Sequence, residues 1–293
     1  MDQAESLRRL ASQMARPKRK ARAIAVTSGK GGVGKTSLTV NLAVSMSRLG
    51  LRTGILDGDL GLANVDLVLG ITPQYNLSHV LHGEKRLEEI AVPGPEGICV
   101  FAGGSGVSEL ANLSHWRLQR FVQSLSTLDQ DLDVMLIDTG AGISRIVMSF
   151  LWACDEVIVV TTPELPAITD AYGVIKLLVT ENPSAVVRVV VNMARGEAEA
   201  ERVLYSLQAV LNQFLNRRVS LELLGHIPHD AAVSRSIQEQ SPLVIAYPAS
   251  RAAASIEFIA RRLVAGAPVQ QSAGIGGIFQ RMATLLRKRP ERN

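Results

Sequence analysis

One stretch near the start of this chain restricts its fold more than any other. The run Ala23-Ile24-Ala25-Val26-Thr27 leads into Gly29-Lys30-Gly31-Gly32-Val33-Gly34-Lys35-Thr36 and then into Ser37-Leu38-Thr39-Val40-Asn41-Leu42. An apolar strand-like run, a glycine loop and a helix-forming segment follow one another directly, and the loop satisfies G-x-x-x-x-G-K-S/T. The residue types have a chemical reason. Glycines let successive backbone N–H groups converge on phosphate oxygens, and the N-terminus of the following helix adds positive potential. Lys35 is placed to reach the β- and γ-phosphates, and the Thr36 hydroxyl to ligate Mg²⁺, and Ser37 is expected among the nucleotide-binding residues of the loop. The pattern arises by chance in roughly one chain of this size in a hundred, and the flanking strand and helix make it rarer.

The rest of the chain fits the sheet that such a loop needs. Runs at 23–27, 53–57, 98–102, 134–138, 157–161, 187–192 and 221–227 read as strands. Several, such as VMLID and VIVV, are apolar almost without interruption, as strands buried on both faces are. Helical patterns intervene at 35–49, 114–128, 144–153, 167–179, 197–217 and 251–264. The alternation predicts βαβ crossovers and a three-layer α/β domain with a mostly parallel, twisted sheet. That domain is expected over 23–265. A basic segment precedes it at 1–22, a small-residue linker follows at 266–274, and an amphipathic segment with a basic tail ends the chain at 275–293.

Composition narrows the class. The chain has 293 residues, 47% of them hydrophobic and 20% charged, which suits a large folded core and argues against disorder. Cys99 and Cys154 stand alone in apolar surroundings, so no metal spacing is legible and a reducing, cytosolic compartment is expected. No run has the length or hydrophobicity of a signal peptide or a spanning helix. The net charge of +4 is uneven: residues 1–22 carry +5 and residues 274–293 carry +4, leaving the body at −5. Positive charge confined to the ends favours tails that touch an acidic partner or membrane over a nucleic-acid groove.

Two of the expected strands end in acids. Asp57-Gly58-Asp59 closes one and Asp138-Thr139-Gly140-Ala141-Gly142 follows the other. Both place carboxylates at the carboxyl edge of a parallel sheet, where ligands bind in open α/β folds. Asp57 and Asp138 are therefore candidate Mg²⁺-organising acids, the alternative being simple loop capping. No Glu follows Asp138 to act as a base, so slow turnover is expected.

The loop KGGVGKT closely resembles the MinD/ParA superfamily of deviant Walker-A ATPases. That resemblance implies an ATP-driven dimer in which Lys30 reaches the partner's nucleotide. The superfamily's first switch, DxDxGxxNxD, is matched by Asp57, Asp59, Gly61, Asn64 and Asp66, and Asp59 falls at its hydrolytic aspartate. Its second switch usually reads DTPAG, whereas this chain has DTGAG; Gly140 should loosen the turn without removing Asp138. By the same resemblance Asn192 and Pro228 frame the adenine. Glu164 aligns with a glutamate that contacts nucleotide across the dimer, with helix capping as the alternative reading.

The two ends carry amphipathic patterns. Ile275, Ile278, Phe279, Met282, Leu285 and Leu286 fall within an arc of about 120° on a helix, with Arg281, Arg287 and Lys288 outside it. Such a helix either packs on its own domain or lies in a membrane interface. Terminal position, a small-residue linker and a cationic polar face favour the anionic membrane surface. At the start, Asp2 and Glu5 have capping-box spacing, and Ala4, Leu7, Leu10/Ala11 and Met14 form one apolar stripe, so the segment reads either as a capped helix or as a frayed tail.

The opening Asp2-Gln3-Ala4 with Leu7-Arg8 resembles the FlhG (YlxH/FleN) family of flagellar number and placement regulators, as do LDGDLGLANVDLVLG and PAITDAYGVIKLL. That resemblance implies stimulation of the FlhF GTPase by the N-terminal helix. It also brings flagellar switch proteins and a flagellar transcription activator into view as partners, which no motif here secures. A MinD-type division-site selector shares the ATPase and the terminal helix but lacks the DQA extension. A ParA-type DNA-partitioning ATPase is disfavoured by the acidic body. An electron carrier like the nitrogenase iron protein is disfavoured by the cysteine positions, and a metabolic kinase by the lack of a legible acceptor site.

Overall fold

The structure is a computed structural model that describes residues 20–59, 64–104, 114–216, 218–266 and 272–288, the side chains of His115, Leu118, Arg287 and Lys288 excepted. Residues 1–19 of the expected segment 1–22, residues 267–271 of the expected linker and the basic tail beyond 288 lie outside the described residues, as does Gly61.

An eight-stranded sheet runs in the order β3-β4-β2-β5-β1-β6-β7-β8. Its strands are β1 (Arg22–Ser28), β2 (Thr53–Gly58), β3 (Ala91–Pro93), β4 (Cys99–Ala102), β5 (Val134–Ala141), β6 (Glu156–Thr161), β7 (Val186–Asn192) and β8 (Glu222–Ile227). Every pairing is parallel except that of β3 with β4. The seven expected strands are all present, within one residue at their ends except β5, which runs three residues further, to Ala141. The short antiparallel edge strand β3 was not anticipated, because three residues containing a proline carry no periodicity to read.

The helices are α1 (Lys35–Arg48), α2 (Val65–Leu69), α3 (Leu77–His82), α4 (Leu87–Ile90), α5 (His115–Asp131), α6 (Arg145–Ala153), α7 (Leu165–Glu181), α8 (Glu197–Leu215), α9 (Ala231–Gln238), α10 (Leu243–Ala246), α11 (Arg251–Ala265) and α12 (Gly274–Lys288). They cover both faces of the sheet. Strand β1 shows how the sequence divides its side chains: Ile24 and Val26 join the cluster containing α1, α10 and α11, whereas Ala23 and Ala25 join the cluster containing α5, α6, α7 and α12. That alternation is the period-2 habit of a strand buried on both sides.

Helix α12 is built into the second layer. Ile275, Ile278, Phe279, Met282 and Leu286 are 0–4% exposed, and Leu285 is half-buried. Phe279 meets Phe121 of α5 and Phe150 of α6 edge-on, with centroids 5.7 and 6.3 Å apart. A Cβ on Gly276 would stand 2.0 Å from Ser126 Oγ and 2.9 Å from the Val122 carbonyl oxygen, so only glycine permits this approach of α12 to α5. Polar contacts pin both ends of the helix. The Ile275 amide donates to Asp129 (2.8 Å), Ser272 Oγ donates to Asp155 (2.7 Å), Arg281 pairs with Asp155 (3.2 Å), and Arg145 donates to the Leu286 carbonyl. The residues expected to face a membrane thus face their own domain in this structure. Each large side chain so covered contributes roughly 1.5–3 kcal/mol to holding the helix in this groove.

Candidate active site

The glycine loop joins the carboxyl end of β1 to α1, in the crevice where β1 lies between β5 and β6. Residues 29–34 form the turn, and Gly34 precedes α1 with φ 89°, in the left-handed region that glycine tolerates. A Cβ there would also stand 2.3 Å from Asn192 Nδ2. The same Asn192 amide donates to the Val33 carbonyl at 2.8 Å, so the end of β7 braces the loop from the side.

Asp138 lies at the centre of the site. It is buried on β5 and accepts from Lys35 Nζ (3.2 Å), Thr36 Oγ1 (2.7 Å) and Thr39 Oγ1 (3.0 Å). Burial pushes its carboxyl up, while Lys35 and the two hydroxyls oppose the shift. Asp57 is its register partner on β2. It accepts three backbone amides, from Asp59 (3.1 Å), Asn64 (3.1 Å) and Val65 (3.2 Å). Those donors favour the ionised form, yet burial and then the neighbouring Asp138 outweigh them and push Asp57 up to about 6. The two carboxylates and the Thr36 hydroxyl make an oxygen-only donor set of the kind a hard divalent cation takes, so the residues fit Mg²⁺.

The remaining predicted residues line the same edge. Asp59 is half-buried, and a Cβ on Gly140 would stand 3.5 Å from its Oδ1, so the first switch faces the second across the DTGAG turn. Asn192 pairs in register with Ile227, which places Pro228, itself buried, beside it at the ends of β7 and β8. Lys30 and Glu164 meet each other at 3.6 Å on the rim, both well exposed. Glu164 occupies the N-cap position of α7 without a side-chain cap bond, so the capping alternative fails there. Ser37 is buried at the start of α1. Asp66 Oδ1 accepts the Leu67 amide, a local turn away from the carboxylate pair.

Sequence reasoning missed Thr39. Its hydroxyl lies one helical turn beyond Lys35, donates to Asp138, and also contacts the Lys35 carbonyl at 3.0 Å. The i, i+4 spacing from Lys35 placed it on the same helix face and could have identified it.

Residues 19–264 match the ParA family, described as NUBPL iron-transfer P-loop NTPase. The antiactivator FleN of Pseudomonas aeruginosa is 40% identical over 240 residues, covering 82% of this chain and 85% of its own. The flagellum site-determining protein YlxH of Helicobacter pylori is 36% identical over 272 residues, 90% of each chain. Among solved structures, a chain of the MinC:MinD cell division protein complex of Aquifex aeolicus superposes with a TM-score of 0.66 at 27% identity, covering 86% of this chain and 99% of that one. MinD of Pyrococcus horikoshii complexed with Mg-ADP gives 0.65 at 27% identity, covering 83% and 96%. A loop braced by Asn192, a lysine and two hydroxyls converging on Asp138, and this kinship together place the chain in the ParA/MinD family of P-loop NTPases, as an ATPase that works with ATP and Mg²⁺.

Proposed function

We propose that the chain is a slow, ATP-driven homodimeric switch that regulates flagellar number and placement. The observation that carries this reading is the position of Lys30. The lysine of the deviant loop does not join Lys35 on Asp138. It sits on the rim against Glu164, where a second copy could receive it. The names of FleN and YlxH supply the flagellar setting.

In this mechanism Lys35 exchanges its Asp138 partner for β- and γ-phosphate oxygens when nucleotide binds, and Thr36, Asp57 and Asp138 are the residues that would hold Mg²⁺. Bound Mg²⁺ supplies charge neutralisation at the phosphates. The backbone amides of Gly29 to Gly34 cradle phosphate, Asn192 and Pro228 flank the base, and Asp59 orients the attacking water. Lys30 leaves Glu164 for the partner's nucleotide, and Glu164 turns to the same interface. Positioning and electrostatics, rather than a strong base, account for a low rate.

Location and partner follow from the two ends. Helix α12 exchanges its groove for the anionic inner face of the cell membrane, and two such helices on one dimer bind far more firmly than one. The attachment is interfacial and reversible, as suits a single short amphipathic helix with a cationic polar face; among the described residues no helix is long and apolar enough to cross a membrane. The segment containing Asp2, Gln3, Ala4, Leu7 and Arg8 stimulates the FlhF GTPase.

Lys30→Ala tests the switch. It should leave ATP binding within a few fold while abolishing ATP-dependent dimerisation and hydrolysis; a dimer that forms and turns over normally contradicts the role. Removing residues 1–15 should abolish FlhF stimulation and spare ATP hydrolysis, and unchanged stimulation contradicts the partner assignment.

A further inference from the structure

We infer that the first turns of α5 carry a second membrane-contact surface, in which Trp116, Arg117 and Arg120 engage anionic phospholipid directly from the ATPase body. Trp116 is 57% exposed, a large apolar area to leave in water. Arg117 lies over its ring, 5.6 Å from the centroid, and Arg120 is exposed one turn further along the helix. An indole beside guanidinium groups is suited to the headgroup boundary, where one end of the ring is apolar and the other wet.

The place of this patch in the fold argues for lipid. The Ile275 amide binds Asp129 and Phe279 packs on Phe121, so α12 runs antiparallel to α5. Leu286 is seven residues past Phe279, about 10 Å along the axis, which brings the carboxyl end of α12 level with the first turn of α5. Arg145, exposed at the start of α6, donates to the Leu286 carbonyl at the same end. The chain then continues into Arg287-Lys288-Arg289. The carboxyl end of the amphipathic helix and the exposed indole therefore share one end of the molecule. The described acids of α5 lie at its other end, Asp129 being nine residues beyond Arg120, about 13 Å away. Charge complementarity selects an anionic surface, and the indole beside an amphipathic helix selects a lipid one.

This surface is presented while α12 is still docked. It supplies a weak, salt-sensitive first contact in the ADP state, before any helix leaves its groove. The inference rests on the membrane reading above and extends it from the helix to the body.

The test uses the full chain carrying Trp152→Phe, which leaves Trp116 as the reporting tryptophan. Phosphatidylglycerol vesicles containing brominated phosphatidylcholine are added with ADP or with a non-hydrolysable ATP analogue, at low and physiological salt. Quenching of Trp116 in both nucleotide states is expected. Arg117→Ala with Arg120→Ala should reduce vesicle partition by roughly fivefold per arginine, with vesicle-free ATP hydrolysis unchanged. Co-sedimentation with Trp116 unquenched and the arginine variant binding normally overturns the inference and leaves α12 as the membrane element. Absence of co-sedimentation in every condition overturns the membrane reading, and this inference with it. Salt-sensitive retention on duplex DNA that is lost in the arginine variant, without Trp116 quenching by vesicles, reassigns the patch to nucleic acid.

Discussion

Gly276→Ala separates the docked helix from the helix as an apolar anchor. The added methyl would stand 2.0 Å from Ser126 Oγ and 2.9 Å from the Val122 carbonyl oxygen. Ser126 cannot yield freely, since its hydroxyl donates to that same carbonyl at 2.9 Å. Overpacking of this sort costs roughly 1–3 kcal/mol in the docked state, whereas alanine improves helix formation wherever α12 goes. The released population should therefore rise about 5- to 150-fold.

Cys154 reports it. That thiol is buried in the cluster containing α12, beside Arg281, and the next residue, Asp155, binds Ser272 and Arg281. In a Cys99→Ser background, labelling of Cys154 under native conditions should accelerate by the same factor, and vesicle binding should strengthen. Gly277→Ala is the control, because its methyl meets only the Ala273 side chain, at 3.0 Å. Unchanged Cys154 labelling in Gly276→Ala would refute the reasoning, since it would mean that the close approach of α12 to α5 does not limit opening.

Three further outcomes follow. Asp57 is raised from its ordinary 3.8 to about 6 by burial and Asp138, so the folded chain binds more protons than the unfolded chain between those values. Stability without nucleotide or Mg²⁺ should therefore fall as pH rises through that window, by roughly 1 kcal/mol from about pH 5 to about pH 7, and Asp57→Asn should flatten the slope in urea titrations. Thr39→Val removes one donor to a buried carboxylate, and denaturant titration should show a loss of roughly 1.5–3 kcal/mol in the nucleotide-free protein. Asn192→Ala frees the Val33 carbonyl and should lower the stability of the nucleotide-free protein by roughly 0.5–1.5 kcal/mol in denaturant titration, and equilibrium binding should show weaker ATP affinity because the unbraced loop must be ordered on the phosphates.

The sequence was most legible where local pattern and tertiary role coincide. The strands were readable because burial on both faces makes them apolar runs, and the glycine loop because phosphate binding demands a fixed spacing. Asp57 and Asp138 were legible as strand-ending acids, but their register pairing required the strand order, in which β5 intervenes between β1 and β2. The cis contact of Lys30 with Glu164 joins residues far apart in sequence, with no periodicity to betray it. Helix α12 illustrates the deeper difficulty: an apolar face has the same spacing whether it meets lipid or its own domain. The discriminating residue was Gly276, which a lipid-facing helix does not need and a helix pressed against α5 does.

Whether ATP joins two copies decides the switch most directly. Light scattering after size-exclusion chromatography, on the wild-type chain with ADP and on Asp59→Ala with ATP, measures this. The predicted result is a monomer with ADP and a dimer held by Asp59→Ala with ATP. A single mass in both conditions would contradict the switch and the roles given to Lys30 and Asp59.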